Sequence, residues 1–349
     1  MGFNKGEWSE LYTFLHLFEN PDLVIVNENL EAISNNVFRI LEIILSEKKY
    51  LIGAHNITKV MNGGDTNQYP MSYISKQNQM LLNKILAHKS AKGSFEINEI
   101  TPLVDNLFDG QKPKGASNVK GDLEANILES HFNKIINLKY NIKSSLGAPA
   151  TLLNASNHTN FIYEITNIDD DIMKKTNTIN TKNKLLDRCA FLNQKNAIVN
   201  FKKVESDTFD YNLKLVDSNL GIFLADILYL SYSKNEKDIK KLIVLISKNK
   251  DEYTFYEKKV GDFANAVTFG MRASEKWNGI NEVNGGIILV TKLGKVYLLD
   301  LIYYKNIVDK YLIDNIKLES PSSSRYGMFD IYKENERYFF KLNLQIRFK

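Results

Sequence analysis

An α/β fold follows from the way hydrophobic period changes along this chain. Apolar residues recur at helical spacing near the N-terminus, switch to a period of two between Gly121 and Ser144, and return to helical spacing after Leu220. Composition supports a folded core: of 349 residues, 44% are hydrophobic, 25% charged and 11% aromatic, which is not the balance of a disordered chain. At this size roughly three quarters of the unfolded surface is buried. One large domain or two intimate ones fit, without metal or disulfide staples.

Each element has its own signal. Residues 6–18 place Trp8, Leu11, Tyr12, Leu15 and Phe18 near one face at helical spacing, with Glu7, Glu10 and Phe14 on another. Residues 37–44 and 77–86 are apolar-periodic and read as two more helices. Residues 101–117 contain Pro102, Gly110, Pro113 and Gly115 and read as a loop. From 121 to 128, Asp122, Glu124 and Asn126 alternate with Leu123, Ala125 and Ile127; from 138 to 144, Leu138, Tyr140 and Ile142 alternate with Lys139, Asn141 and Lys143. Two half-buried strands follow, joined closely enough for an antiparallel pair. Residues 155–165 give a loop and then a strand at Phe161, Ile162 and Tyr163, and the Thr/Asn/Lys-rich stretch 174–184 reads as surface loop. A helix is expected over 220–247, interrupted by polar residues 233–238, and another over 260–276. Asn284, Gly285 and Gly286 then introduce a strand pair at 287–291 and 295–304. There is no internal repeat.

Charge and cysteine content narrow the setting. Cys189 stands alone, so no internal disulfide forms, and His16, His55, His88, His131 and His158 lack the spacing of a zinc cage. Lys5, Glu7 and Glu10 open the chain without the apolar core of a secretory signal, and the run 220–230 is broken by Asp226 and too short for a bilayer. A reducing, cytoplasmic setting is expected. The net charge of +4 permits nucleic acid as a partner without demanding it. Arg occurs only at Arg39, Arg188, Arg272, Arg325, Arg337 and Arg347. Coding bias toward Lys is the plain explanation, yet Lys cannot replace the planar fork of any Arg that remains.

The strand pair sets Asp122 against Asn141 and Lys143. Alternate residues of antiparallel strands share a face, so these three side chains converge. Phosphodiester hydrolysis needs such a group: a hard divalent cation takes oxygen ligands, here Asp122 and Asn141, while Lys143 orients water and balances charge on the phosphate. Taken alone the pattern is weak, since a solvated strand face with mixed charge would look the same.

The wording around these residues adds to it. The opening Asn4-Lys5-Gly6-Glu7-Trp8-Ser9-Glu10-Leu11-Tyr12, the run Ile142-Lys143-Ser144-Ser145-Leu146-Gly147, its continuation Ala150-Thr151-Leu152-Leu153-Asn154-Ala155-Ser156 to Thr159-Asn160-Phe161, and the closing Phe340-Lys341-Leu342-Asn343-Leu344-Gln345-Ile346-Arg347-Phe348 resemble the type II restriction endonucleases similar to HpaII. Trp277-Asn278-Gly279 and Ser322-Ser323-Ser324-Arg325 do so as well. The blocks run in one order over essentially the whole chain.

The resemblance implies a PD-(D/E)XK-type core, a central mixed sheet flanked by helices, cutting double-stranded DNA with Mg2+. On that reading residues 1–349 form a single endonuclease unit: a mainly helical part over 1–110, a catalytic strand core over 111–170, and helices and strands for DNA recognition and dimerisation over 171–349. Asp122 takes the place of the first acidic ligand and Lys143 that of the lysine. Asn141 stands where the motif has Asp or Glu, and Gly121 where it has Pro. The missing carboxylate is expected from Glu10, with Glu7 one turn earlier, Glu124 on the Asp122 face, and Glu164 more remotely as alternates. Glu7 and Glu10 read equally well as first-turn charges complementing the helix dipole.

Guanine presents two major-groove acceptors that Arg matches bidentately, and Arg272 and Arg325 are the candidates for that contact. A salt bridge to a surface carboxylate is the alternative reading, and for Arg325 it fits nearly as well. Ser144, Asn154, Ser156 and Asn157 are candidate DNA contacts, although short polar residues also bond their own backbone in turns. The resemblance further implies CCGG as the best single guess for the site, a homodimer at the cleavage step on a palindrome, a companion DNA methyltransferase, and a bacterial cytoplasm. A repair or structure-selective nuclease on the same core, or a DNA-binding module inactivated at Asn141, are the alternatives. Asp169 to Asp171 read as a solvated turn or a helix start, Asn62-Gly63-Gly64 and Asn284-Gly285-Gly286 as turns, Trp277 as packing, and Cys189 with His131 as no nucleophile and base.

Overall fold

The computed structural model describes residues 2–34, 37–45, 48–61, 64–90, 93–111, 120–321 and 327–349. In chain order the elements begin with β1 (Gly2–Asn4), α1 (Lys5–Glu19), β2 (Ile25–Val26), β3 (Ala32–Ser34), β4 (Phe38–Leu45), β5 (Lys48–Ile52), β6 (Asn56–Val60), β7 (Thr66–Pro70) and α2 (Met71–Ala87). Next come β8 (Ser94–Glu96), α3 (Thr101–Phe108), β9 (Leu123–Glu129), β10 (Lys134–Ser144), β11 (Thr151–Leu153), β12 (Asn160–Thr166), α4 (Asp170–Thr178), α5 (Lys184–Gln194) and β13 (Ile198–Val204). The chain continues through α6 (Asp207–Val216), α7 (Leu220–Ser233), α8 (Ile239–Ile246), α9 (Lys250–Phe269), β14 (Gly286–Val290) and β15 (Val296–Asp300). It ends with α10 (Lys305–Asn315), β16 (Ile316–Leu318), β17 (Tyr332–Glu334), β18 (Arg337–Asn343) and β19 (Ile346–Phe348). Contacts divide it into two compact units, 1–150 with 281–308 and 151–280 with 309–349.

The first unit is built on a ten-stranded mixed sheet, ordered β3-β2-β15-β14-β10-β9-β4-β5-β6-β7. Its ladders are antiparallel except β10 with β14 and β15 with β2. The expected strand pair is therefore present, and it sits in the middle of the sheet. Leu123, Ala125 and Ile127 of β9 and Leu138, Tyr140 and Ile142 of β10 enter one core with Trp8, Phe14 and Phe18 of α1, Leu81 of α2 and Leu107 of α3. Helices cover that face, and the alternation of β9 and β10 turns their polar residues to the other.

Helix α1 begins where expected, but its burial is not a single stripe. Phe14 is as buried as Leu11, and Ser9 and Thr13 are buried too. Their hydroxyls donate to the carbonyls of Lys5 and Ser9, each at 2.7 Å, which satisfies polar groups removed from water. Helix α2 extends the expected helix toward its N-terminus.

Several expectations fail locally. Residues 37–44 form strand β4, not a helix: a register shift between Ile40 and Glu42 against β9 breaks the period of two. Residues 101–108 form helix α3, with Pro102 in its first turn, where proline costs no backbone bond. Of the expected 101–117 loop, 112–119 lie outside the described residues. With β2 to β7 in place, the part expected to be mainly helical supplies six strands of the large sheet.

The second unit carries two smaller sheets, β11-β19-β16 and β13-β12-β18-β17. Helix α7 packs against β13, and the Tyr163 hydroxyl of β12 donates to Ala225 O of α7 at 2.8 Å. Helices α7 and α8 are separate, broken at the polar stretch that the sequence marks. Asp169 caps α4 by accepting from Ile172 N–H, so the acidic triplet is a helix start, and α4 replaces part of the loop expected over 174–184. Helix α9 runs ten residues earlier than expected and closes at Gly270, which leaves Arg272 and Trp277 on an irregular segment.

Candidate active site

The regular β9–β10 ladder ends at Leu123 opposite Tyr140. Asp122 lies one residue beyond it. Its N–H donates to Tyr140 O at 2.9 Å, and its Oδ2 accepts the Ile142 N–H at 2.7 Å. Two bonds to β10 thus fix both the backbone and the carboxylate of Asp122. On the same face Lys143 brings Nζ to 3.6 Å from that Oδ2, with Lys143 mostly buried and Asp122 half exposed.

Asn141, two residues before Lys143 on β10, is only 5% exposed. Parallel pairing sets Ile287 beside Asn141 and Leu289 beside Lys143, and both are buried. Apolar neighbours reduce solvent screening, which strengthens the attraction between Lys143 and Asp122. Glu124 follows Asp122 on this face and pairs with Lys139 at 3.8 Å. Across the sheet, burial pushes the Tyr140 hydroxyl up, the charge of Asp300 adding to it, and burial likewise raises the Asp300 carboxyl.

The helix candidates are placed differently. The Glu7 carboxylate accepts the Asn4 N–H at 2.8 Å, while Asn4 Oδ1 accepts the Glu7 N–H at 3.0 Å. That reciprocal pair is a capping box, so Glu7 closes the start of α1. Glu10, half-buried, lies in the next turn. Because α1 shares the core with Leu123 and Ile142, this helix covers the face of the hairpin opposite to the Asp122 side chain.

Magnesium needs few protein ligands, commonly one or two carboxylates with waters completing the shell. Asp122 offers one carboxylate, and Asn141 on the neighbouring strand carries an amide oxygen, the type of donor such an ion takes. Among the described residues no three His, Cys, Asp or Glu side chains gather as a metal cage.

Residues 4–348 match the family model described as HpaII restriction endonuclease. The chain belongs to that family. It is also 33% identical over 359 aligned positions to the type II restriction enzyme HpaII of Haemophilus parainfluenzae, covering 99% of this chain and 98% of that protein. No solved structure matches the chain significantly. Among the described residues no helix is long and apolar enough to cross a membrane.

The remaining candidates in this HpaII-family chain lie mostly in the second unit. Ser144, at the end of β10, accepts the Leu146 N–H at 3.1 Å and shapes the turn that follows. Ser156 caps the short helical turn Asn157–Thr159, while Asn154 and Asn157 are exposed. Arg272 pairs with Glu275 at 3.7 Å, and its carbonyl accepts the Asn212 side-chain amide at 2.9 Å. Arg325, with Ser322 to Ser324, lies outside the described residues, as do Asn62 and Gly63. Glu164 is held by Arg337 at 2.6 Å and by Lys202 at 3.6 Å in the second unit.

Sequence reasoning missed a set of contacts that braces the hairpin. Glu282 Oε2 accepts the Lys120 N–H at 2.6 Å, and Asn284 Oδ1 accepts the Lys139 N–H at 2.8 Å. No local pattern reveals partners 162 and 145 residues apart.

Proposed function

We propose that this type II restriction endonuclease hydrolyses double-stranded DNA at a short specific site, using Asp122, Asn141 and Lys143 on a PD-(D/E)XK-type core. The supporting observation is the approach of Lys143 to Asp122 at 3.6 Å across the two central strands, in a chain of this family. CCGG is the first site to test, because the relative is HpaII. A homodimer at the cleavage step would match a palindromic site, and a companion methyltransferase would protect the host. Arg272 and Arg325 are the proposed base readers, with Asn154, Ser156, Asn157 and Ser144 as further DNA contacts.

In this mechanism Asp122 and the Asn141 oxygen would hold Mg2+, with Glu124, on the Asp122 face, as the nearer source of any additional carboxylate; Glu10, or Glu7 once released from its capping box, would have to reach the ion from α1 on the other face. When bound, the ion supplies a Lewis acid toward the phosphate. Lys143 presents an ammonium that orients the attacking water and balances charge building on the phosphoryl oxygens. Asp122 keeps that ammonium aimed, and Ile142 N–H keeps Asp122 aimed. Buried Ile287 and Leu289 limit the water that would screen these charges.

The test is digestion of unmethylated plasmid carrying mapped CCGG sites, with magnesium or with EDTA, followed by mapping of the ends. Discrete magnesium-dependent fragments support the reading, and their ends give the site. Cleavage that follows nicks or branches instead would indicate a structure-selective nuclease. Intact plasmid with retained DNA binding would indicate a binding module.

A further inference from the structure

Residues 282–286, which lead into β14, grip both arms of the hairpin beside Asp122. Lys120 lies two positions before Asp122, and its N–H is held by Glu282. Lys139 lies two positions before Asn141. Its N–H is held by Asn284 Oδ1, and its carbonyl accepts the Gly285 N–H at 2.8 Å. The parallel ladder proper begins only one residue later, at Tyr140 and Gly286. The Asn284 side chain therefore supplies the acceptor that the next rung of the ladder would have supplied.

The same segment seats Tyr140 from above. A Cβ on Gly285 would fall 2.5 Å from Tyr140 Cε1, so only glycine lets the backbone rest on that ring. Gly286 has φ +125, and a Cβ there would fall 2.1 Å from Leu299 O. Tyr140 in turn accepts the Asp122 N–H. Each contact sets the height of β10 along β14, and that height sets where Asn141 and Lys143 meet Asp122.

We propose that Asn284 is a positioning residue for the Asp122–Lys143 pair, acting through the Lys139 N–H. The inference rests on the reading of Asp122 and Lys143 as the hydrolytic pair. An aspartate at 284 still offers an oxygen to that N–H, whereas an alanine offers none. Small displacements of reacting groups cost rate steeply, so Asn284→Ala is expected to lose about 10-fold in kcat with KM for a CCGG duplex unchanged. Asn284→Asp is expected to recover most of that loss.

Steady-state cleavage by wild type, Asn284→Ala, Asn284→Asp and Asp122→Ala is measured together with their Tm. Amide hydrogen exchange of β10, which needs no activity, is followed in parallel. The expected result is faster exchange of the Lys139 N–H in Asn284→Ala but not in Asn284→Asp, with the kcat loss and its rescue at similar Tm. Wild-type kcat and exchange in Asn284→Ala, or equal impairment of the Ala and Asp variants, would overturn the positioning role. Normal cleavage by Asp122→Ala would instead overturn the underlying reading of the site.

Discussion

Oδ2 of Asp122 is shared: it accepts the Ile142 N–H at 2.7 Å and faces Lys143 Nζ at 3.6 Å. One oxygen thereby ties a backbone position on β10 to the charge two strand faces must bring together. Removing Asp122 leaves the Lys143 ammonium misaimed, whereas removing Lys143 leaves Asp122 held by the Ile142 N–H. Lys143→Ala and Asp122→Ala are each expected to lower kcat by about 100-fold or more, the scale set by losing one electrostatic stabiliser. Asp122→Ala also loses the bond to Ile142, worth about 1 kcal/mol of stability. Single-turnover digestion with thermal melts of both variants checks this. A variant cutting at the wild-type rate would remove that residue from the mechanism.

Asn141 is the site's uncharged member, and its burial makes a charge there costly. Asn141→Asp would set a second carboxylate near Asp122 at a position only 5% exposed. Without a cation, burial and repulsion are expected to destabilise the fold by about 2 kcal/mol. A divalent cation bound by the folded state would return that stability by mass action. Melts in EDTA and in millimolar magnesium distinguish the cases. A Tm insensitive to magnesium in Asn141→Asp would argue that no cation reaches this position.

At the far side of the large sheet, Lys59 is buried and bonds Asp109 at 2.6 Å, and Lys48 bonds the same carboxylate. Those bonds, from Lys48 and then Lys59, hold the Asp109 carboxyl below its usual range. A depressed carboxylate contributes stability above its ordinary value and loses it as pH falls through the depressed one. Wild type is thus expected to lose this contribution below about pH 4. Asp109→Asn is expected to cost about 2 kcal/mol at pH 7, a modest figure for breaking a buried pair because Asp109 is 42% exposed. Urea titrations should show the difference between the two proteins shrinking toward pH 3. A difference constant with pH would show that charge is not its cause.

Two arginines have different expected roles, Arg188 in the fold and Arg272 in the proposed base reading. Arg188 is 2% exposed and donates to Ile179 O at 3.1 Å, Asn177 O at 2.6 Å and Asp330 Oδ1 at 2.8 Å. Arg188→Ala would take the donor from the Ile179 and Asn177 carbonyls, while Asp330 keeps Lys184, and is expected to cost about 3 kcal/mol. Arg272 is partly exposed and pairs with Glu275 at 3.7 Å. Arg272→Ala is expected to keep its Tm while losing about 10-fold in discrimination between CCGG and single-base variants, one bidentate base contact. Cleavage of a panel of duplexes, with melts, tests both. Unchanged discrimination would leave Arg272 as a surface ion pair.

The hairpin was legible because a period of two survives in both strands: one face stays apolar, so Asp122, Asn141 and Lys143 had to share the other. Strand β4 was not legible. Apolar residues fall on both its faces, and its register shift at Ile40 to Glu42 imitates helical spacing. Helix α3 was hidden by Pro102, which ends helices in the interior but suits a first turn. For Glu7 the sequence left two roles open, and the Asn4 capping box shows what its carboxylate is doing.

By itself the sequence determined the α/β class, the central strand pair and the convergence of Asp122 with Lys143, because these follow from local periodicity and neighbouring strands. The tertiary structure decided the order of ten strands, the division into two units, and the hold of Glu282 and Asn284 on the hairpin. Those depend on which distant backbones pair, a choice made by packing and hydrogen-bond satisfaction over the whole core that no local pattern encodes.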